Sequence, residues 1–173
     1  MKRFPLCLVL VAIGALLIGS APLTAGSSSP SPGVAVDDNL PPAAYRELAA
    51  ARLATAKYQD VAQAEADGYV FMGYEPGEGF AYFNEGLYDC TFDAEHPETL
   101  LYVEQGNHLR LAAVEYFVPE GCSDPETAPE GFSGDADVWV FGAEGFPEHA
   151  LRVWLWLGNP NGIFAPPPHP RIP

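Results

Sequence analysis

Two strand-like stretches hold the residues best suited to chemistry. In "LRLAAVEYFV", alternation places Leu109, Leu111, Ala113, Glu115 and Phe117 on one face. A carboxylate among apolar neighbours is costly unless it is paired or protonated. Glu115 can therefore act as a general acid/base, a metal ligand or a ligand clamp. It can equally be half of a structural ion pair, or sit at a strand edge that reaches water. In "LRVWLWL", alternation gives Arg152, Trp154 and Trp156 one face, and Leu151, Val153, Leu155 and Leu157 the other. An arginine beside indoles can stack on them and can pair bidentately with a carboxylate. Glu115 is the expected partner if the two strands adjoin. The plainer alternative is a tryptophan-lined core with Arg152 at its border.

Other chemistry has less support. Tyr74, Phe80, Tyr82, Phe83, Tyr88, Tyr102 and Tyr116 supply aromatic surface, which suits either a core or a pocket wall. Tyr82 and Asn84 are the polar groups best placed to orient a small molecule. His96, His108, His149 and His169 show no HxH, HxxxH or HExxH spacing, so no metal site and no cofactor is expected. No GxSxG, phosphate-binding loop or dinucleotide fingerprint occurs. "GYEPGEG" is rich in glycine but acidic, the wrong charge for phosphate. Ser123 and Ser133 fall in an acidic loop with no recognisable base nearby.

The elements that must position these residues follow from periodicity. "NLPPAAYRELAAARLATAKYQ" predicts a helix, with Asp38 or Asn39 as cap and Pro41 and Pro42 in the first turn. Its apolar stripe is Tyr45, Leu48, Ala49, Leu53 and Ala56. A break near Asp60 is expected, because Asp60 can cap a second helix with Gln63 at capping-box spacing. One uninterrupted helix is the alternative. Gly68 closes the segment. From there the period becomes two. "YVFMG", "FAYFN", "TLLYVE", "LRLAAVEYFV", "DVWVFG" and "LRVWLWL" read as strands, with "QGNH" joining a hairpin. A helix followed by adjacent strands predicts an α+β fold, the helix packed on an antiparallel sheet of about five to six strands. "GNPNG" is a turn, and an extended proline-rich tail runs from residue 165.

The 173-residue chain divides into three parts. Residues 1–25 read as a secretory signal peptide, with a basic start, a short apolar run and small residues before a cut near Ala25. A retained anchor is the alternative. Residues 26–38 read as a disordered linker, and 39–173 as a single domain. The formal net charge is -15. That excess disfavours nucleic acid and an anionic membrane surface, and no membrane insertion is expected once the signal is cleaved. Cys7 lies in the signal. Cys90 and Cys122 remain and are expected to pair in an oxidising exterior; two free or metal-binding thiols are the alternative, without a CxxC spacing to support it.

The stretches "ATAKYQDVAQAEADGYV", "LLYVEQGNHLRLAAVEYFVP" and "VWLWLGNPNGIFAP" resemble a group of secreted microbial single-domain proteins with no assigned reaction. The resemblance spans about Ala50 to Pro168. It implies an exported single domain and no particular activity. The group resembles G-x-G-x-H-Y-x-N where this chain has "GEGFAYFN", and L-H-V-W-L-W where it has "LRVWLW". Ala81 and Arg152 therefore stand at positions where the resemblance implies histidine. Asn84, Glu115, Asn159, Pro160 and Gly162 fit the pattern. The group's two histidines and strand glutamate suggest a metal or acid/base site. Here only Glu115 of those three is kept.

The sequence is thus read first as an exported domain that binds a small ligand, with Tyr82, Asn84, Glu115, Arg152, Trp154 and Trp156 as the candidate residues. The first alternative is a small enzyme using Glu115 as general acid/base. The second is a structural or interaction protein of the cell exterior.

Overall fold

In the computed structural model, which describes residues 40–173, six strands form one antiparallel sheet. The expected signal peptide and linker lie outside these residues. The strands are β1 (Val70–Glu75), β2 (Gly79–Phe83), β3 (Thr99–Gln105), β4 (His108–Pro119), β5 (Trp139–Phe141) and β6 (Glu148–Val153). Their spatial order is β1-β2-β3-β4-β6-β5. Helix α1 (Pro42–Thr55) continues into one turn of tighter helix over Ala56–Gln59, and α2 (Val61–Ala66) follows. The result is the expected α+β fold, with a helical layer on one face of an antiparallel sheet.

The helix breaks at Asp60 because that residue turns extended and its carboxylate accepts the Ala62 N–H at 3.0 Å. The capping box does not close: the Gln63 side chain bonds Asp67 instead. At the start of α1, neither Asp38 nor Asn39 is the cap. Pro41 occupies that place without a side-chain bond, and Pro42 begins the helix, where its missing N–H costs nothing. The buried stripe is also shifted from the expected one. Ala44, Leu48, Ala51 and Thr55 face the sheet, and Leu53 is 79% exposed. Three of these four residues are small, which lets the helix sit close to the strands.

Between the layers, Leu48, Ala51 and Tyr58 meet Leu100, Tyr102, Leu111, Val114, Leu151 and Val153. Each fully buried aliphatic side chain contributes roughly 1.5–3 kcal/mol. Buried phenols are tied to backbone carbonyls: Tyr102 to Tyr58, Tyr69 to Pro97 and Tyr116 to Ala94, at 2.8, 2.7 and 2.7 Å. Such pairing removes the penalty of a buried hydroxyl and gives these tyrosines an architectural role.

Two departures from regular alternation decide which residues share a face. A bulge interrupts the β3–β4 pairing, where Leu101 pairs with Ala113 but Tyr102 pairs with Leu111. Ala112 is the extra residue, so Leu111 joins the helix-side core while Ala113 joins a smaller cluster on the opposite face. The expected common face for Leu109, Leu111, Ala113, Glu115 and Phe117 is therefore split. The second departure follows Val153, where β6 ends earlier than expected. Leu155 still packs with Leu151 and Val153, but Trp156 turns toward the helices and Leu157 joins Trp154 on the opposite face.

Cys90 and Cys122 form the expected disulfide, with 32 residues of sequence separation. It ties the segment before β3 to the loop after β4. A disulfide of this kind persists in an oxidising compartment. In the chain-entropy model, closing a loop of this length stabilises the fold by about 3–4 kcal/mol. Urea unfolding with and without reductant, compared with a Cys90→Ser/Cys122→Ser variant, is expected to show that loss. An unchanged midpoint would mean that the bridge constrains nothing in the unfolded chain. No helix among the described residues is long and apolar enough to cross a membrane.

Candidate functional site

The face of the sheet away from the helices carries the buried charges. Glu115 on β4 and Arg152 on β6 are register partners in adjoining strands. Arg152 Nε and Nη2 donate to Glu115 Oε1 at 3.1 and 2.7 Å. Nη2 also donates to Glu78 Oε2 at 2.7 Å. Glu115 and Arg152 are 5% and 3% exposed. Burial works against the guanidinium charge, but Glu115 and then Glu78 outweigh it and raise the Arg152 pKa. The arginine is locked in its charged form between two carboxylates. Its Nη1 is buried without a bonded partner among the described residues.

Glu78 reaches this position because of the β1–β2 hairpin. Gly79 has a φ of 104°, and a Cβ there would lie 2.2 Å from the Tyr102 carbonyl oxygen. Only glycine allows β2 to approach β3 so closely at this point. Gly77 is similarly pressed against Pro168 of the C-terminal tail. The acidic, glycine-rich "GYEPGEG" is thus a turn that delivers one carboxylate to a buried arginine. Its acidity alone did not identify the target.

Above this cluster the sheet face is open. A cavity of about 510 Å³ is lined by β1, β2, β3, β4 and the segments around Tyr88 and Phe146. Its apolar wall includes Ala81, Phe83, Leu101 and Phe117. Five glutamates line it as well: Glu75, Glu78, Glu85, Glu115 and Glu148. Glu148 accepts the Tyr88 hydroxyl at 2.5 Å. Burial first, and then that hydrogen bond, push the Tyr88 phenol up to about 12, so it stays a donor. Glu75 and Glu85 have no bonded side-chain partner among the described residues, and both are exposed.

The structure brings only some of the sequence candidates together. Ala81 and Glu115 line the cavity, and Arg152 bonds Glu115 beneath it. Tyr82 instead faces the helical layer, packed on Tyr102 with ring centroids 5.2 Å apart. Asn84 caps the short turn over Glu85–Leu87 and donates to the Asp67 carbonyl. Trp154 is fully buried and donates to the Ala165 carbonyl at 2.8 Å, with the His169 ring 4.6 Å away. Trp156 bonds Thr55 Oγ1 and stacks under the Arg52 guanidinium at 4.1 Å. The two tryptophans therefore serve opposite faces, and the chain reversal after Leu155 is the reason.

The tail packs against the hairpin turn. His169 and Ile172 are buried, and the His169 N–H donates to the Gly77 carbonyl at 2.7 Å. Ser123, expected to lie beside no base, has its Oγ 2.9 Å from His149 Nδ1. Burial lowers the His149 pKa, with Asp124 opposing. Neither residue lines the cavity above or the second cavity described below. The pair anchors the loop after β4 to β6.

Sequence reasoning missed Glu98 altogether. It is 3% exposed and accepts the Phe117 N–H at 3.2 Å. Burial pushes its carboxyl up to about 8, backbone N–H groups pull the other way, and Asp89 and Asp93 add to the rise. "HPETL" carries no local sign of this, because the burial comes from β4 and the disulfide loop. Among the described residues, no group of three or more His, Cys, Asp or Glu side chains is placed to hold a metal ion.

Compared with protein-family models, with curated proteins and with solved structures, the chain matches none. The functional reading rests on geometry.

Proposed function

We propose that this domain binds a small organic cation with an apolar body in the open-face cavity. The observation that carries the reading is the cavity lining: an apolar wall with five glutamates, two of which, Glu78 and Glu115, are bonded to Arg152. A volume of about 510 Å³ is in the range of small-molecule sites. Aromatic rings attract a cation that shares a desolvated site with them, and Phe83, Tyr88, Phe117 and Phe146 are on hand. The carboxylates would select charge, and the wall would hold the body.

The same geometry speaks against Glu115 as a general acid/base. A working acid/base must exchange a proton with substrate near the operating pH. Glu115 is engaged by a buried guanidinium through two donors. It acts as scaffold for the arginine, and the cavity as a binding site. Export to an oxidising exterior, suggested by the signal-like start and supported by the disulfide, completes the reading.

Titration calorimetry on the full chain tests it, with phenethylammonium as probe and phenylethanol as the neutral comparison. The cation is expected to bind and the alcohol to bind much more weakly. Glu75→Gln and Glu85→Gln, which break no bond of the fold, should each weaken the cation roughly three- to tenfold, about 1 kcal/mol. Ala81→Trp, which fills the wall, should abolish binding. Equal affinity for cation and alcohol, or binding indifferent to all three variants, would refute the proposal.

A further inference from the structure

A second cavity carries arginines on its wall. It measures about 460 Å³ and lies where the β1–β2 and β3–β4 hairpins meet the C-terminal tail. Arg110 and Arg171 line it, together with Glu104 and the last residue, Pro173. The chain as a whole carries 8 Lys and Arg against 23 Asp and Glu, so two arginines on one cavity wall stand out from the composition. Arg52 is off the cavity wall, but burial, and then the like charge of Arg110, lower its pKa.

None of the three arginines is bonded to a carboxylate among the described residues. Arg52 donates to the Leu155 carbonyl and stacks on Trp156. Arg171 donates to the Gly158 carbonyl. Arg110 is exposed, and its side chain holds no hydrogen bond or ion pair among the described residues. A strongly acidic protein could neutralise these groups with its own side chains, yet the ion pairs among the described residues include none of the three. The wall also holds Tyr74 and Gln105, and its apolar part includes Phe80, Leu111, Leu157 and Ile172.

We propose that this cavity is a second ligand site, taking a small carboxylate with an apolar body. Arg110 and Arg171 would hold the carboxylate, which matches the planar fork of donors on a guanidinium. The apolar wall would take the body. The site is independent of the cation cavity, and either can fail without the other.

Amide NMR titration of the full chain with phenylacetate, with phenylethanol as the neutral comparison, tests the proposal. Saturable shifts are expected at Val103–Leu111 and at Arg171 and Ile172, with phenylethanol much weaker. Arg110→Gln breaks no bond of the fold and should weaken phenylacetate at least tenfold, about 1.4 kcal/mol. Arg110→Glu should abolish it, and both variants should keep the wild-type affinity for phenethylammonium. No saturable shift at these residues, or equal affinity in wild type and Arg110→Gln, would overturn the assignment.

Discussion

Replacing Arg152 with methionine lowers folding stability by about 3–5 kcal/mol at neutral pH, the range for breaking a buried ion pair from one side. The cause is what remains. Glu115 is 5% exposed and would lose the cation to which it is bonded through two donors. Glu78, on a hairpin turn and partly exposed, can reach water and costs less. The effect carries a pH signature. In the variant, Glu115 is a buried acid without its cation, so its folded pKa lies above the unfolded one. Stability gained by binding a proton is full at low pH and is lost as pH rises through that folded value. The deficit of Arg152→Met should therefore shrink on acidification. Removing both partners, in Arg152→Met with Glu115→Leu, should cost less than Arg152→Met alone, since a hydrophobic pair of similar volume can replace a buried ion pair. Urea unfolding of the three proteins near pH 5 and near pH 8 measures this. A deficit independent of pH, with the double variant worse than the single, would show that the arginine stabilises by packing alone.

Glu98→Gln is expected to have a comparable effect with the opposite sign at high pH. The wild-type carboxyl is pushed from 4.5 to about 8 by burial. The folded state thus holds its proton more tightly than the unfolded chain. That stabilisation is complete below pH 4.5, declines above it, and is gone once the pH passes about 8. A displacement of this size corresponds to on the order of 4 kcal/mol between the two limits. Glutamine keeps an acceptor for the Phe117 N–H and never ionises. The variant should be the more stable protein above pH 8, with the difference fading toward pH 4.5. Thermal unfolding across that window provides the test. Parallel curves for the two proteins would place the Glu98 carboxylate in water.

Both effects depend on long-range geometry, which explains what the sequence disclosed and what it withheld. The six strands were legible because alternation is local: "TLLYVE" and "LRLAAVEYFV" announce themselves within ten residues. The break at Asp60 and the closing Gly68 were legible for the same reason, since a cap and a left-handed glycine act on their immediate neighbours. Glu115 and Arg152 drew attention as charges on apolar strands, and adjacency of β4 and β6 made them partners. Face assignments failed where alternation was interrupted. A bulge at Ala112 and a reversal after Leu155 leave no mark in residue type, yet each moves the following side chains to the other face. Trp156 is thereby turned toward the helical layer, where Tyr82 lies by the regular alternation of β2. Glu78 and Glu98 were invisible for a different reason. Their environments are built by elements far along the chain, β6 in one case and β4 with the loops beside it in the other.

The cavity follows from these same contacts. Arg152 holds Glu115 and the Glu78 hairpin in place, and Ala81 leaves space above them. Glu75 and Glu85 line the cavity as well, with no bonded side-chain partner among the described residues. The most direct test is an amide NMR titration of the full chain with phenethylammonium. Saturable shifts are predicted at Met72–Glu78, Ala81–Glu85, Tyr88 and Phe146–Glu148, and these should be lost in Ala81→Trp. Shifts that do not saturate, or that persist unchanged in Ala81→Trp, would contradict a cation-binding site on this face.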